Sequence, residues 1–241
     1  MTEVHPEHAP LPSRYSDGAC LGHNPDWGDA EATWKAAQVL GMMRRHQLEP
    51  RSICDLGCGT AGVLDELDRH LPGDIRLVGY EPSPDARRLA GPRAERIELR
   101  GEDARACSDH FDLVLLLDVI EHVDDYMGFL RAVRTVGDRF ILHIPLDMTV
   151  QAVLRMKPIL GVRESWGHLH YFSAETALAV LSETGYRVVD HTYTRGGIEV
   201  APKRFRTRVA AAPRRLAHAI SPRLAARVLG GFSLLVLAEP S

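Results

Sequence analysis

Apolar residues along the chain fall into short runs separated by stretches of helical periodicity. The runs at 51–56, 76–80, 97–100, 111–117 and 139–144 are strand-sized, and most lack the alternation of a half-exposed strand. Such runs predict strands covered on both faces. Between them, 61–70, a stretch from Pro84, and 124–135 place apolar residues three and four apart, which predicts helices. Ser173, with Glu175 and Thr176 behind it, predicts a capped helix over 174–184 that stops at Gly185. Strands at 186–193 and 232–238 complete the pattern. Strict alternation of strand and helix predicts an α/β chain: a mostly parallel sheet with helices on both faces.

Ahead of the first strand, Ala32, Trp34, Ala36, Ala37, Val39, Leu40 and Met43 predict a helical cap over 29–47, with Asp29 as N-cap, covering one end of the sheet. Tyr15, Trp27, Trp34 and Lys35 lie in or beside it; aromatic residues at this spacing read first as core, and second as groups that close over a ligand. Residues 1–28 show no periodicity and read as an N-terminal arm. Two segments interrupt the alternation, 147–171 and 195–231. The expected organisation is one domain over 29–241 carrying those two insertions, where α/β proteins keep their selectivity.

Charge and cysteine content narrow the class. With 29 Lys and Arg against 32 Asp and Glu, the 241-residue chain advertises neither a nucleic-acid nor a membrane partner. Four cysteines without C-x-x-C spacing predict reduced thiols and a cytoplasmic location; no leader pattern or bilayer-length apolar run is visible. The segment 195–231 is locally basic, nine Lys or Arg against Glu199 alone. Val209, Leu216, Ile220, Leu224 and Val228 run through it at helical intervals, so it reads mainly as a solvated helix face cut by Pro202, Pro213 and Pro222, with one or two arginines reaching the ligand.

The candidate chemistry centres on Asp55-Leu56-Gly57-Cys58-Gly59-Thr60-Ala61-Gly62. A strand feeds a G-x-G-x-x-G turn at a helix N-terminus, where glycines admit a ligand to free backbone N–H groups. Nicotinamide and flavin proteins share that spacing. The carboxylates distinguish this chain: Asp55, Glu81, Glu102 with Asp103, and Asp118 stand at the carboxyl ends of the first four strands, which form the crevice of an open α/β sheet. Such a rim repels a pyrophosphate and suits an adenosine with a cationic tail. Glu81, about twenty residues past the glycines, suits a ribose diol.

The four stretches Asp-Leu-Gly-Cys-Gly-Thr-Ala-Gly, Val-Gly-Tyr-Glu-Pro-Ser, Gly-Glu-Asp-Ala and Phe-Asp-Leu-Val-Leu-Leu-Leu-Asp-Val-Ile-Glu-His-Val resemble the successive motifs of class I S-adenosylmethionine-dependent methyltransferases, over about 51–194 and the final strand. The resemblance implies a Rossmann-like seven-stranded sheet whose last strand runs antiparallel between the fifth and sixth. It implies S-adenosylmethionine as cofactor, with Asp55, Gly57, Cys58 and Gly59 at the methionine part, Glu81 and Pro82 at the ribose, Asp103 and Ala104 at the adenine, and Asp118 near the methyl group. Residues 166–173 are similar to the helix entry of small-molecule and quinone-type methyltransferases. The acceptor is not carried over by the resemblance.

Methyl transfer to a hydroxyl or ammonium needs a group that takes a proton. His168 and His170 lead the candidates, followed by His143 and His122, with Asp147 a further one. Each has a plainer reading: His143 as a core histidine, His122 as a loop tie. No metal site is expected, since His168-x-His170 with Glu121 or Asp147 does not complete the acidic pattern of metal-dependent relatives. The leading reading is methylation of an oxygen or nitrogen of a small molecule, such as a natural-product intermediate or a sugar. The rivals are a nicotinamide-dependent oxidoreductase, which lacks a Tyr-x-x-x-Lys pair here, and a non-catalytic adenosyl-ligand-binding protein. Oligomeric state stays open.

Overall fold

The computed structural model describes residues 29–91, 93, 97–200 and 214–241. The arm 1–28 with Tyr15, Cys20 and Trp27, and Pro202, Val209 and Pro213 of the basic segment, lie outside them. Seven strands, β1 (Ser52–Leu56), β2 (Arg76–Tyr80), β3 (Ile97–Arg100), β4 (Phe111–Leu117), β5 (Gly137–Pro145), β6 (Tyr186–Thr194) and β7 (Ser233–Pro240), form one sheet in the order β3-β2-β1-β4-β5-β7-β6. The first five pair in parallel, and β7 runs antiparallel between β5 and β6. This is the expected doubly wound α/β architecture. Strand order reverses between β1 and β4, which opens a crevice at their carboxyl ends.

The period-two geometry of strands divides the apolar residues between two cores. Ile53, Leu77, Leu113 and Leu115 pack against α1 (Ala32–Arg45) and α2 (Gly62–His70). Their neighbours Cys54, Leu56, Val78, Val114 and Leu116 face the other way, toward α4 (Tyr126–Val133), α7 (Ala174–Glu183) and α8 (Pro222–Leu229). Hence α1 lies on a face of the sheet, beside α2, rather than over one end, because Ala36, Val39, Met42 and Met43 bury a full helical stripe there. Asp29 does not cap α1. Its carboxylate instead accepts from Thr60 Oγ1 (3.0 Å) and Arg93 (2.7 Å), which ties the start of this element to the glycine turn.

Local chemistry sets the remaining boundaries. Ser83 caps α3 (Pro84–Ala90) with Pro84 in its first turn, Asp125 caps α4 through Gly128 N–H (2.8 Å), and Ser173 with Thr176 forms the capping box of α7. Helix α4 is shorter than the predicted 124–135, because 134–136 tightens into a 3₁₀ turn. The insertion after β5 folds into α5 (Val150–Arg155) and α6 (Lys157–Ser165). Among the described residues, no helix is long and apolar enough to cross a membrane.

Candidate functional site

A cavity of about 550 Å³ opens at the carboxyl ends of β1 and β4, walled by the glycine turn, α1 and the end of α6. At its floor, Gly57 and Cys58 both donate their N–H to the Tyr80 carbonyl (2.7 and 3.0 Å), so the turn hangs from the end of β2. Gly57 has φ +83°, and a Cβ there would stand 2.9 Å from Val119 Cγ2, so no side chain fits. Gly62 serves packing: its Cβ would meet Asp29 and Ala32. Cys58 packs on Gly79, and burial pushes its thiol well above the ordinary value, which makes it a wall rather than a nucleophile.

Asp55 is 2% exposed, and its Oδ1 has no hydrogen-bond partner. Burial, with Glu81 adding like charge, lifts its pKa to about 7 in spite of the attraction of Lys35. Glu81 is buried as well, but both oxygens are engaged: Oε2 accepts from Gly59 N–H (3.0 Å) and Oε1 from Ser83 N–H (2.7 Å). Each carboxylate oxygen retains a second lone pair for a ligand hydroxyl. Asp103 lies at the rim beside Pro82 and Ala104, where Arg105 covers its carboxylate and lowers its pKa. An amine at this position has to share that carboxylate with Arg105.

Asp118 follows β4 in a left-handed conformation, φ +58°, a strained position for a non-glycine residue. It is held by Lys35 Nζ (2.7 Å) and His143 Nδ1 (2.6 Å). Burial alone would raise its pKa; the charges of His143 and Lys35 and their hydrogen bonds outweigh this and hold it well below the usual range. His143 is committed on its other side to Thr194 Oγ1 (2.9 Å), and Trp34 meets its ring edge-on. His143 thus lines the cavity with both nitrogens engaged, and it braces Asp118 from the side opposite Lys35. Trp34 also donates to Glu199 (2.8 Å), closing the α1 side of the cavity.

The other histidines divide. His170 is absent from the cavity wall: its Nε2 donates to the carbonyls of Val123 (3.0 Å) and Asp124 (3.1 Å), and its ring packs on Tyr126. It pins a loop, which removes it from the candidate bases. His122 and His168 do line the cavity, with ring centroids 4.9 Å apart. Burial and the neighbouring His168 depress the pKa of His122 to about 4. His168 Nδ1 is hydrogen-bonded to Asp147 Oδ2 (2.6 Å). Behind the cavity wall, with Oε1 3.9 Å from His122 Nε2, sits Glu121, fully buried, with its pKa raised by burial and by the Asp118 charge.

Lys35, Trp34 and Thr194 complete the site from outside the sequence motifs. The sequence marks Lys35 and Trp34 as groups beside the helical cap that close over a ligand, a second reading after core for the aromatic ring, and Thr194, at the end of an otherwise ordinary strand, carries no signal. None of the described arginines of 195–231 lines the cavity: Arg195 pairs with Glu199, and Arg223 and Arg227 with Glu175. Leu216, Ile220, Leu224 and Val228 are exposed.

Comparison with known proteins agrees with this geometry. The sequence pattern of the family described as "Methyltransferase domain" matches residues 35–191. A ubiquinone biosynthesis O-methyltransferase of Methylobacterium sp. (strain 4-46) is 36% identical over 155 residues, covering 58% of this chain and 61% of that protein. The match thus spans about three-fifths of that relative's length. Among solved structures, magnesium protoporphyrin IX methyltransferase from Synechocystis PCC 6803 with bound SAM aligns with a TM-score of 0.62 at 12% identity, covering 98% of this chain and 100% of that one. The plantazolicin methyltransferase BpumL in complex with a monoazolic desmethylPZN analog and SAH aligns with a TM-score of 0.63 at 13% identity, over 96% and 93%. The chain belongs to the methyltransferase-domain family.

Proposed function

We propose that the chain transfers a methyl group from S-adenosylmethionine to an oxygen, or a nitrogen, of a small molecule of natural-product type. The observation that carries the reading is Asp55: a buried carboxylate with an unpartnered oxygen, at the floor of a cavity framed by a glycine turn. Leaving such a group unmatched costs about 1–3 kcal/mol, a cost that a ligand ammonium recovers on binding. Gly57, where no Cβ fits, lets the ligand reach the backbone.

The residues present fit the cofactor. Asp55 would hold the amino-acid end, Glu81 the ribose hydroxyls beside Pro82, and Asp103 with Ala104 the adenine. When bound, the cofactor would supply an electrophilic methyl on sulfur to an acceptor lone pair, the electrons of the broken C–S bond returning to sulfur. Lys35 and His143 hold Asp118 in place at the end of β4, and Trp34 and the end of α6 wall the cavity. An acceptor enters beside His122 and His168, the end of the cavity where a hydroxyl proton must leave. The similarity to an O-methyltransferase supports oxygen over nitrogen. Among the described residues Cys54, Cys58 and Cys107 are free thiols, which supports a reducing, cytoplasmic setting.

Calorimetric titration with S-adenosylhomocysteine and with NAD tests the cofactor. S-adenosylhomocysteine binding without NAD binding is the expected outcome, and the reverse overturns the proposal. Transfer of labelled methyl to a panel of phenols, catechols and sugars then identifies the acceptor class.

A further inference from the structure

Asp147 follows the end of β5 and His168 the end of α6, and the fold sets them side by side: His168 Nδ1 donates to Asp147 Oδ2 (2.6 Å). The sequence offers these two residues as separate candidates for one task, whereas the structure makes them a single unit. An ionised carboxylate can only accept, so this bond places the ring proton on Nδ1 and leaves the lone pair on Nε2. His168 lines the cavity and Asp147 stands behind it, so Nε2 is the nitrogen left for a molecule in the cavity. It makes no hydrogen bond among the described residues.

Backbone bonds fix both partners. On either side of Asp147, Leu146 N–H donates to the Phe232 carbonyl (3.0 Å) and Met148 N–H to the Phe172 carbonyl (3.1 Å). Immediately after His168, the N–H groups of Leu169 and His170 donate to the Glu121 carbonyl (2.8 and 3.2 Å). A pair anchored this way keeps its geometry without reorganising when a ligand arrives. The neighbouring imidazole is tuned differently. Burial and the charge of His168 hold His122 at about 4, so at neutral pH it stays uncharged beside the ring that is backed by a carboxylate.

We propose that Asp147 is the positioning residue of the proton-removing step, orienting His168 so that Nε2 takes the proton of an acceptor hydroxyl. The proposal deepens the methyl-transfer reading and rests on it. The hydroxyl proton passes to Nε2 as the oxygen lone pair forms its bond to the methyl carbon and the C–S electrons return to sulfur. Asp147 keeps its charge throughout and stabilises the imidazolium, which afterwards gives the proton to water.

The first readout needs no acceptor. Full-length protein carrying ¹⁵N-labelled histidine is titrated by NMR from pH 5 to 9, with His168→Gln identifying the His168 signals. Among the described residues Asp147, His122 and Glu121 face the ring, the last with an oxygen within 4.8 Å of a ring nitrogen; the last two are common to wild type and Asp147→Asn. Wild type should show Nδ1–H, with Nε2 gaining the second proton on acidification. In Asp147→Asn that second proton should be lost at a pH lower by about one unit or more, since the carboxylate favours the charged ring. S-adenosylhomocysteine affinity should stay unchanged, which also reports folding; should Asp147→Asn fail that check, Asp147→Ala carries the test. An Nε2–H ring in wild type, or identical titrations in the two proteins, overturns the pair.

The second readout is methyl transfer to phenols, catechols and sugars. Asp147→Asn should lower kcat on the order of 100-fold at unchanged KM for S-adenosylmethionine, and the acid limb of its pH profile should move to lower pH with the NMR titration. An unchanged kcat overturns the proton-removing role. S-adenosylhomocysteine binding without transfer to any of these acceptors would take that role down together with the oxygen-methylation reading, and the NMR result separates this failure from a failure of the pair itself.

Discussion

Replacing Asp55 with asparagine should make the ligand-free protein more stable and the ligand-bound state inaccessible. The carboxylate sits at about pKa 7 in the fold against an ordinary value of 3.8, chiefly because it is buried. A raised carboxyl pKa means that the unfolded chain gives up this proton first, so stability falls as pH rises from about 4 to about 7 and is flat above. At 1.36 kcal/mol per pH unit, the full penalty is about 4 kcal/mol, an upper figure because Lys35 lies close enough to share the charge. Asparagine keeps the shape without the charge, so the expected gain is about 2–4 kcal/mol at pH 8, shrinking toward nothing at pH 4. Each kcal/mol moves Tm by about 2–4 °C for a chain of this length. Differential scanning fluorimetry across pH 4–9 on both proteins reads the effect, and titration with S-adenosylhomocysteine reads the cost. Wild-type affinity should itself weaken below about pH 7, as the carboxylate takes up the proton that a ligand cation must displace. Equal melting temperatures at every pH would refute the claim that Asp55 is a desolvated anion. Unchanged S-adenosylhomocysteine affinity would refute its role in holding the cationic tail.

Other substitutions probe neighbouring links. Glu81→Ala should weaken S-adenosylhomocysteine binding by about 1–3 kcal/mol, through lost ribose contacts and the release of Gly59 and Ser83 N–H groups, as measured by calorimetry. Lys35→Met leaves Asp118 with His143 as its remaining cation, and should cost about 2–3 kcal/mol in urea unfolding, below the usual loss for a fully broken buried pair. Gly79→Ala drives a methyl group into Cys58 Sγ, 2.6 Å away, and should destabilise by about 1–3 kcal/mol with a loss of cofactor affinity, since Cys58 lies in the glycine turn. His168→Ala should depress turnover while sparing S-adenosylhomocysteine affinity; full rate with the true acceptor would place the proton-removing apparatus elsewhere.

Pattern alone settled the sheet, its helices and the acidic rim, for a physical reason. Strand and helix periods are local properties, and alternation of the two permits few ways to bury both faces. The position of the glycine turn and of Asp55, Glu81, Asp103 and Asp118 at strand ends follows from the same rule, since each lies within one to three residues of a run that ends there. What stayed hidden depends on contacts between residues far apart in the chain. Lys35 reaches Asp118 because α1 lies along a face of the sheet, and His143 is occupied because β6 brings Thr194 across from it, 51 residues later. His168 and His170 are two residues apart, yet one meets Asp147 in the cavity wall and the other fastens a loop, a division made by the backbone bonds that zip 169–170 to Glu121. Spacing along a chain reveals which side chains share a face of one element, whereas the partners they meet across a cavity are decided by the packing of elements against each other.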